Sequence, residues 1–132
     1  MRIIRTEAAP APVAGAPYNQ AVAVPPGETL FISGQVPVDP ATGALVEGDV
    51  AVQTRRVLDN LLAILEAAGA GPGHVVKCTC FLVDIAGDFP AMNAVYGEVF
   101  TADPPARSTI GVAALPLGAR VEIEAVAVLP AA

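Results

Sequence analysis

The fold is decided by residues 75–84, which read VVKCTCFLVD. Apolar side chains fall on both faces of this segment, the pattern of a strand in the middle of a sheet. A long helix is predicted before it, over Asp49–Ala68, because apolar residues recur there at three- and four-residue steps and Gly69 ends the pattern. A second helix is predicted after it, over Asp88–Phe100, with Pro90 tolerated only because it falls in the first turn. The strand is therefore expected between two helices that pack on its sheet.

Further strands are predicted at both ends of the chain, over Arg2–Arg5, Asn19–Val24, Thr29–Val38, Arg107–Ala113 and Arg120–Leu129. The first three have the character of an antiparallel sheet edge. No repeat, composition break or long linker divides the 132 residues. The order strands, helix, strand, helix, strand, strand predicts a single α+β domain over residues 1–132, with a mixed, mainly antiparallel sheet and both helices on one face.

The composition is rich in apolar and poor in charged residues, at 54% and 15%. Ordinary globular domains carry about 25% charged residues, so the chain has more apolar surface than one small monomer can bury, and we expect a homo-oligomer. No apolar run reaches the roughly 20 residues that span a bilayer, so no membrane partner is expected. The net charge of −6, with seven Lys and Arg in all, argues against a nucleic-acid surface.

The N-terminal segment and the few cysteines and histidines bear on location and redox chemistry. Residues Met1–Pro17 are rich in Ala and Pro and lack the apolar core of a secretory signal, so a cytoplasmic location is the default expectation. Cys78 and Cys80 lie two apart in one strand and point to the same face, a poor geometry for a mutual disulfide, and are expected to be reduced core residues. His74 lacks cysteine or carboxylate neighbours at ligand spacing, so no metal site is expected.

The residues with chemical potential are concentrated in the two closing strands. Arg107 and Thr109 share a face of the first, and Glu122 and Glu124 share a face of the second. A guanidinium can bind a small carboxylate through two parallel hydrogen bonds and a glutamate can deprotonate a water, which together make a minimal hydrolytic site. If the strands pair antiparallel, with Arg107 opposite Glu124 and Thr109 opposite Glu122, an ordinary cross-strand ion pair explains the same residues. The sequence leaves both interpretations and the register open.

Several motifs resemble the signature of the RidA/YjgF family. Near the C-terminus, Pro105–Val112 is followed by Leu115-Pro116 and then by Val121–Ala127. Other landmarks appear in the family's order, namely Ala16–Val22, Phe31–Pro37, the region of Asn60, and Asn93–Tyr96. The resemblance covers nearly the whole chain and rests on separate motifs at compatible spacing, which makes it specific.

The resemblance implies a chorismate-mutase-like α+β fold that forms a trimer, with a small-ligand site in each cleft between subunits. It also implies an enzyme, a 2-iminobutanoate/2-iminopropanoate deaminase-like hydrolase. Such an enzyme converts reactive 2-imino acids, and enamine tautomers such as 2-aminoacrylate, to 2-keto acids and ammonia as metabolite damage control. By this resemblance Arg107 clamps the substrate carboxylate and Glu122 positions the hydrolytic water. Imine hydrolysis needs neither a metal nor an organic cofactor, so none is expected.

The resemblance adds further substrate-binding candidates, which are Tyr18, Ser33, Gly34, Asn93 and Thr109. A structural explanation is available for several of them: Tyr18 can be a loop tyrosine anchored by one hydrogen bond, and Gly34 can mark a β-bulge instead of a close approach of backbone to ligand. Asn93 can equally cap or hydrogen-bond locally within its helix.

The chain departs from the family pattern at Thr109 and at Ala16, and its connection between Tyr96 and Arg107 is somewhat shorter. Thr109 stands where many relatives carry cysteine, which excludes a thiol nucleophile at that position, and Ala16 replaces a glycine before Pro17. Two other functions remain compatible with the sequence: a non-catalytic trimeric module that binds or senses a small carboxylate, and a divergent deaminase of a larger substrate. Endoribonuclease activity is disfavoured by the acidic balance and the lack of a histidine pair.

Overall fold

The computed structural model describes residues 1–131 as two helices and six strands, with a few short 3-10 turns. In chain order these are β1 (Arg2–Ile4), β2 (Ala21–Ala23), β3 (Gly27–Gln35), α1 (Val50–Ala67), β4 (Val75–Leu82), α2 (Ile85–Val99), β5 (Ala106–Gly111) and β6 (Val121–Pro130). The predicted α+β class and element order are confirmed. Within residues 1–131, neither helix is both long and apolar enough to cross a membrane.

The main sheet has the strand order β3-β6-β4-β5. β4 and β5 are parallel, because α2 carries the chain back between them, and the other two pairs are antiparallel. β4 is an interior strand, as its two apolar faces predict. β1 and β2 pair with each other in a separate two-stranded sheet, so among the N-terminal strands only β3 forms an edge of the main sheet.

The two closing strands are not neighbours. β4 lies between β5 and β6 and pairs with both of them. The register that sets Arg107 opposite Glu124 and Thr109 opposite Glu122 is therefore wrong. The reason is topological. The α2 crossover places β5 at the edge of the sheet, next to β4. The loop after β5 then carries the chain past β4, so β6 pairs with the far side of β4 and does not form a hairpin with β5.

The hydrophobic core lies between the two helices and one face of the sheet. Its members include buried residues of α1, β4, α2 and β6, among them Leu58, Leu61, Cys78, Cys80, Met92, Val121 and Ile123, all at 0% to 2% exposure. Both cysteines are free and buried, as expected. Asp49 caps α1, since its carboxylate accepts the Val52 N–H at 3.0 Å.

The second helix begins at Ile85, earlier than the predicted Asp88. Its N-cap is Asp84, whose carboxylate accepts the Gly87 N–H at 3.1 Å. Pro90 consequently lies beyond the first turn, so the prediction of its position was wrong. Pro90 is exposed, and water can bond the helix carbonyl that the missing N–H leaves without a partner.

A buried carboxylate ties the helices to the sheet. Asp88 of α2, at 6% exposure, accepts a hydrogen bond from the Arg120 guanidinium at 2.9 Å. The Arg120 backbone N–H in turn donates to the Gln53 side chain of α1, also at 2.9 Å. The start of β6 is thereby fixed to both helices at once.

The other face of the main sheet, here called the open face, carries apolar side chains that no helix in residues 1–131 covers. Phe31 of β3 is 77% exposed and Ile110 of β5 is 44% exposed. Phe81 and Val126, between them, are half-buried. An exposed apolar sheet face is typical of a surface that another subunit covers, which supports the expectation of an oligomer.

We expect Leu58→Ala to lower the free energy of unfolding by about 2–5 kcal/mol, because Leu58 is fully buried in the core and its loss leaves a cavity. Urea denaturation at one fixed protein concentration measures the change. Leu117→Ala is the control, since Leu117 is 69% exposed and should change stability by less than about 0.5 kcal/mol. Equal effects at the two positions would contradict this description of the core.

Candidate active site

Arg107 is a buried cation surrounded by aromatic rings. It lies on β5 at 7% exposure, on the face that α2 covers. Its guanidinium carbon is 4.8 Å from the ring centre of Tyr96, 5.2 Å from that of Tyr18 and 5.7 Å from that of Phe89. Among residues 1–131, none of its three guanidinium nitrogens has a hydrogen-bond partner. The rings offset part of the cost of burying the charge, but five donors without an acceptor indicate a binding site for an anion.

Two elements build this aromatic cage, which consists of Tyr18, Phe89 and Tyr96. Phe89 and Tyr96 lie on α2, and with Asn93 they occupy one helical face at four- and three-residue steps. Tyr18 lies on the N-terminal loop, where its hydroxyl accepts the Val13 N–H at 2.8 Å. Tyr18 is therefore both the anchored loop tyrosine and a wall of the cage.

Phe89 and Tyr96 are site residues that the sequence motifs did not identify. Their spacing predicts only the buried stripe of a helix, which explains most aromatic residues at such positions. The sequence feature that could have identified them is their position on the same helical face as Asn93, which the family resemblance had already made a candidate. The partners of that face on the sheet become visible only in the folded chain.

A cleft of about 410 Å³ opens beside Arg107. Its walls come from the N-terminal loop, the first two turns of α2 and the edge strand β5, through Val13, Tyr18, Ile85, Phe89, Arg107, Ser108 and Thr109. The Thr109 hydroxyl and the Asn93 side-chain carbonyl oxygen are buried, and within residues 1–131 neither has a hydrogen-bond partner. The structure thus brings four candidates to one side of the sheet, namely Arg107, Tyr18, Asn93 and Thr109, here called the Arg107 group.

Glu122 lies on the open face of the sheet. It pairs with Phe81 across β4 and is half-buried. Its carboxylate lies against the backbone of Gly34, and a Cβ added at Gly34 would overlap it. The β3-β6 register shifts between Ile32 and Gln35 at the same place. Both explanations of Gly34 therefore apply. It lies in an irregular part of the strand, as a β-bulge would, and its lack of a side chain permits a close approach. The group that approaches within the chain is the Glu122 side chain.

Ser33 adjoins this site and is exposed, with its carbonyl accepting a hydrogen bond from the Gln35 amide at 3.2 Å. Ser33, Gly34 and Glu122 are here called the Glu122 group. They lie toward β3, and β3 and β5 are opposite edges of the sheet, roughly 14 Å apart at the usual strand spacing. Within one chain the Arg107 group and the Glu122 group do not meet.

The ion-pair interpretation of Arg107 does not hold. Within residues 1–131 the ion pairs are Arg55 with Glu98 and Arg120 with Asp88. Neither includes Arg107, and the open-face position of Glu124 places it across the sheet from the guanidinium. The charge of Arg107 is therefore not neutralised by the acidic strand that follows it in sequence.

The thiols near the cage are in their neutral form. Burial raises the pKa of Cys78 to about 11, although the Tyr96 hydroxyl and the Arg107 charge offset part of this effect. Burial also raises the pKa of Cys80, and it raises that of Tyr96 well above its ordinary value. Neutral, buried thiols are poor nucleophiles, so neither cysteine is a candidate for covalent chemistry at the cleft.

His74 has a local structural role. Its Nδ1 accepts the Gly71 N–H at 3.0 Å, which closes the short turn before β4. Across residues 1–131, no three His, Cys, Asp or Glu side chains are grouped so that they could hold a metal ion.

Known proteins match most of this chain. A family model described as Endoribonuclease L-PSP matches residues 6–129. The 2-iminobutanoate/2-iminopropanoate deaminase of Capra hircus is 50% identical over 127 residues, which cover 96% of this chain and 89% of that protein.

Two solved structures are similar over nearly their whole length. The YjgF gene product of E. coli has a TM-score of 0.74 and 46% identity, and the match covers 98% of this chain and 100% of that one. E. coli TdcF with bound serine has a TM-score of 0.74 and 41% identity over the same shares of the two chains. These matches show that the chain belongs to the RidA/YjgF family.

Proposed function

We propose that this chain is a deaminase that hydrolyses reactive 2-imino acids, such as 2-iminopropanoate and 2-iminobutanoate, and enamine tautomers such as 2-aminoacrylate. The products are 2-keto acids and ammonia. The observation that carries the proposal is the buried Arg107 guanidinium, whose nitrogens lack partners within residues 1–131. The name of the goat relative and its 50% identity support the same activity. Its physiological role would be the removal of damaging metabolites.

Arg107 is suited to bind the substrate carboxylate. A planar guanidinium can donate two parallel hydrogen bonds to a carboxylate, and such a pair is strong where water is excluded. The ring centres of Tyr18, Phe89 and Tyr96 lie within 5.7 Å of the guanidinium carbon, and the rings limit how far it can move. A carboxylate held in this way orients the adjoining C2 carbon, the atom that water must attack.

Glu122 can serve the same substrate only if it comes from another copy of the chain. The Arg107 group lies under α2 and the Glu122 group lies on the open face, so one chain cannot close both around one small molecule. The exposed apolar residues of the open face, Phe31 and Ile110, favour contact between copies there. We therefore propose a homotrimer in which each cleft combines the Arg107 group of one subunit with the Glu122 group of its neighbour.

Glu122 would act as the general base toward water. Water adds to C2 of the protonated imine, the C=N electron pair moves to nitrogen, and Glu122 accepts the proton that the water loses. The same carboxyl group returns this proton to nitrogen. The C–N bond then breaks as Glu122 takes the proton of the new hydroxyl, whose oxygen becomes the keto oxygen, and the nitrogen leaves as ammonia. Glu122 releases this proton to solvent, so one protonated imine and one water give one 2-keto acid, one ammonia and one proton, and no step calls for a cofactor.

The remaining candidates would position the substrate. The Thr109 hydroxyl and the Asn93 amide oxygen are buried and unpartnered within residues 1–131, so they can bond the imine nitrogen or a water beside the clamped carboxylate. Ser33 and Gly34 would contribute backbone from the neighbouring subunit. Thr109 offers a hydroxyl where many relatives carry a thiol, so activated water is the nucleophile.

Three other functions can be compared with this proposal. A module that binds or senses a carboxylate without turnover needs only Arg107, and it leaves unexplained why β3 brings Gly34 against the Glu122 carboxylate. The ribonuclease activity in the description of the family model finds no support in His74, which is bound to Gly71, or in the net charge of −6. A deaminase of a larger substrate is compatible with the same groups.

We expect Arg107→Ala to abolish hydrolysis of 2-iminobutanoate and Glu122→Gln to lower kcat by about 100-fold or more while a small carboxylate such as butanoate still binds. Activity is measured as the rate of keto-acid formation in the presence of semicarbazide, which traps the imine that the enzyme has not hydrolysed. Glu124→Gln is the matched control, because Glu124 is exposed on the same face two residues away, and it should keep near-normal activity. Full activity of the Arg107 variant would overturn the proposed function, and full activity of the Glu122 variant would favour a base elsewhere.

A mixture of the two inactive variants should regain activity if each cleft is shared between subunits. When Arg107→Ala and Glu122→Gln chains are co-expressed in equal amounts, about a quarter of the clefts in a ring receive both intact groups. The expected activity is therefore about a quarter of the wild-type value, against almost none for either variant alone. A co-expressed pair that stays inactive, with mixed trimers verified by mass spectrometry, would contradict the shared site.

Gly34→Ala should reduce activity without unfolding the protein. The added Cβ meets the end of the Glu122 side chain, which can move aside, so the stability change should stay below about 1 kcal/mol while the carboxylate is displaced. Gly71→Ala is the control, because nothing lies within 4 Å of its Cβ position. Steady-state kinetics, urea denaturation and a crystal structure of the variant give the three readouts. Unchanged kcat with a displaced carboxylate would argue against a role for Glu122.

A further inference from the structure

The cleft beside Arg107 has an apolar wall that the carboxylate clamp does not use. Val13 comes from the N-terminal loop, and Ile85 and Phe89 come from the first two turns of α2. Phe89 belongs to the aromatic cage, whereas Val13 and Ile85 lie toward solvent at 62% and 36% exposure. Two aliphatic side chains from distant parts of the sequence therefore line the same cleft as Arg107.

Both aliphatic residues are held in place. The Val13 N–H donates to the Tyr18 hydroxyl at 2.8 Å, and the following Ala14 has a left-handed backbone with φ of 53°, which only a firmly held turn imposes on alanine. Ile85 packs over Gly111, where an added Cβ would lie 3.0 Å from its Cγ2. The positions of Val13 and Ile85 are thus set by the same structure that orients Tyr18 and the end of β5.

The charges of the cleft decide what this wall can accept. Arg107 is the only charged residue among those of residues 1–131 that line it, and the substrate carboxylate would occupy Arg107. Once Thr109 and Asn93 are assigned to the imine nitrogen or its water, Val13 and Ile85 are the aliphatic part of the wall that is left for the substrate side chain. Each methylene buried there would strengthen binding by about fourfold, whereas a charged side chain would lose water without gaining a partner.

We propose that Val13 and Ile85 are specificity-determining residues, which receive the substrate side chain and make the enzyme select imino acids with short aliphatic side chains over those with acidic ones. The inference rests on the proposed deaminase function and names the part of the cleft that reads the side chain. It predicts that a positive charge introduced at either residue shifts selectivity toward an acidic substrate.

The test compares 2-iminobutanoate with 2-iminoglutarate, generated by amino-acid and glutamate oxidases with catalase present. The readout is the ratio of the two kcat/KM values. Wild-type enzyme should prefer 2-iminobutanoate by about tenfold or more. Ile85→Lys and Val13→Lys should each narrow this preference by about fivefold, the scale of one partly exposed ion pair.

Val83→Lys is the matched control. Val83 is 41% exposed and lies two residues before Ile85, but it is not part of the cleft wall. Val83→Lys adds the same charge nearby but outside the wall. If only Val13 and Ile85 contact the substrate side chain, the ratio of the two kcat/KM values should stay within about twofold of the wild-type ratio. Circular dichroism melting curves verify that each variant folds. Val13→Lys is expected to disturb folding less than Ile85→Lys, because Val13 is the more exposed of the two residues.

The outcomes separate this inference from the proposed function. Wild-type enzyme that hydrolyses neither imine overturns both. A second outcome is that the wild-type enzyme hydrolyses 2-iminobutanoate, but the folded Ile85→Lys and Val13→Lys variants keep the wild-type ratio of kcat/KM values. This outcome overturns the inference and leaves the proposed function standing. A shift in Val83→Lys as large as that in Ile85→Lys also overturns it, because the effect would then come from general charge and not from the wall.

Discussion

The guanidinium of Arg107 is buried among three aromatic rings, and it has no hydrogen-bond partner within residues 1–131. Burying a cation costs free energy that aromatic faces offset only in part, so the folded chain carries an electrostatic deficit at this point. An anion that enters the cage would remove that deficit and gain charge-assisted hydrogen bonds. The same feature that lowers the stability of the unliganded chain would, in the proposed function, provide affinity for a carboxylate.

One β-α-β unit makes most of this arrangement possible. Because β4 and β5 are parallel, α2 must cross over the sheet between them, and this crossover lays Phe89 and Tyr96 above Arg107. The N-terminal loop completes the cage with Tyr18, which the Val13 N–H holds in place. Below the cage the neutral thiols of β4 fill the core, so they do not offer a sulfur nucleophile to the cleft.

Assembly and chemistry depend on the same surface. The sheet is covered by helices on one face, and its open face carries both exposed apolar residues and the Glu122 carboxylate. If a neighbouring copy covers the apolar residues of this face, the Glu122 carboxylate on the face would also come close to Arg107 of that neighbour. Within one chain, Glu122 and Arg107 are too far apart to meet. In the proposed trimer, burial of hydrophobic surface and completion of the catalytic site are thus two results of a single contact, and activity would be lost on dissociation.

The sequence by itself determined the α+β class, the order of the elements, the interior position of β4 and the identity of the key arginine, because hydrophobic periodicity, turn residues and family motifs are local properties of the chain. It could not show which strands are neighbours. Strand alternation places a side chain on a face of its own strand but does not specify how two strands are ordered in the sheet, so the pairing of Arg107 with Glu124 was wrong.

Only the tertiary structure decided that Arg107 and Glu122 lie on opposite faces, that Phe89 and Tyr96 enclose the guanidinium, and that Glu122 rests against Gly34. Each of these facts depends on contacts between residues far apart in the chain, which the α2 crossover and the position of β4 between β5 and β6 create.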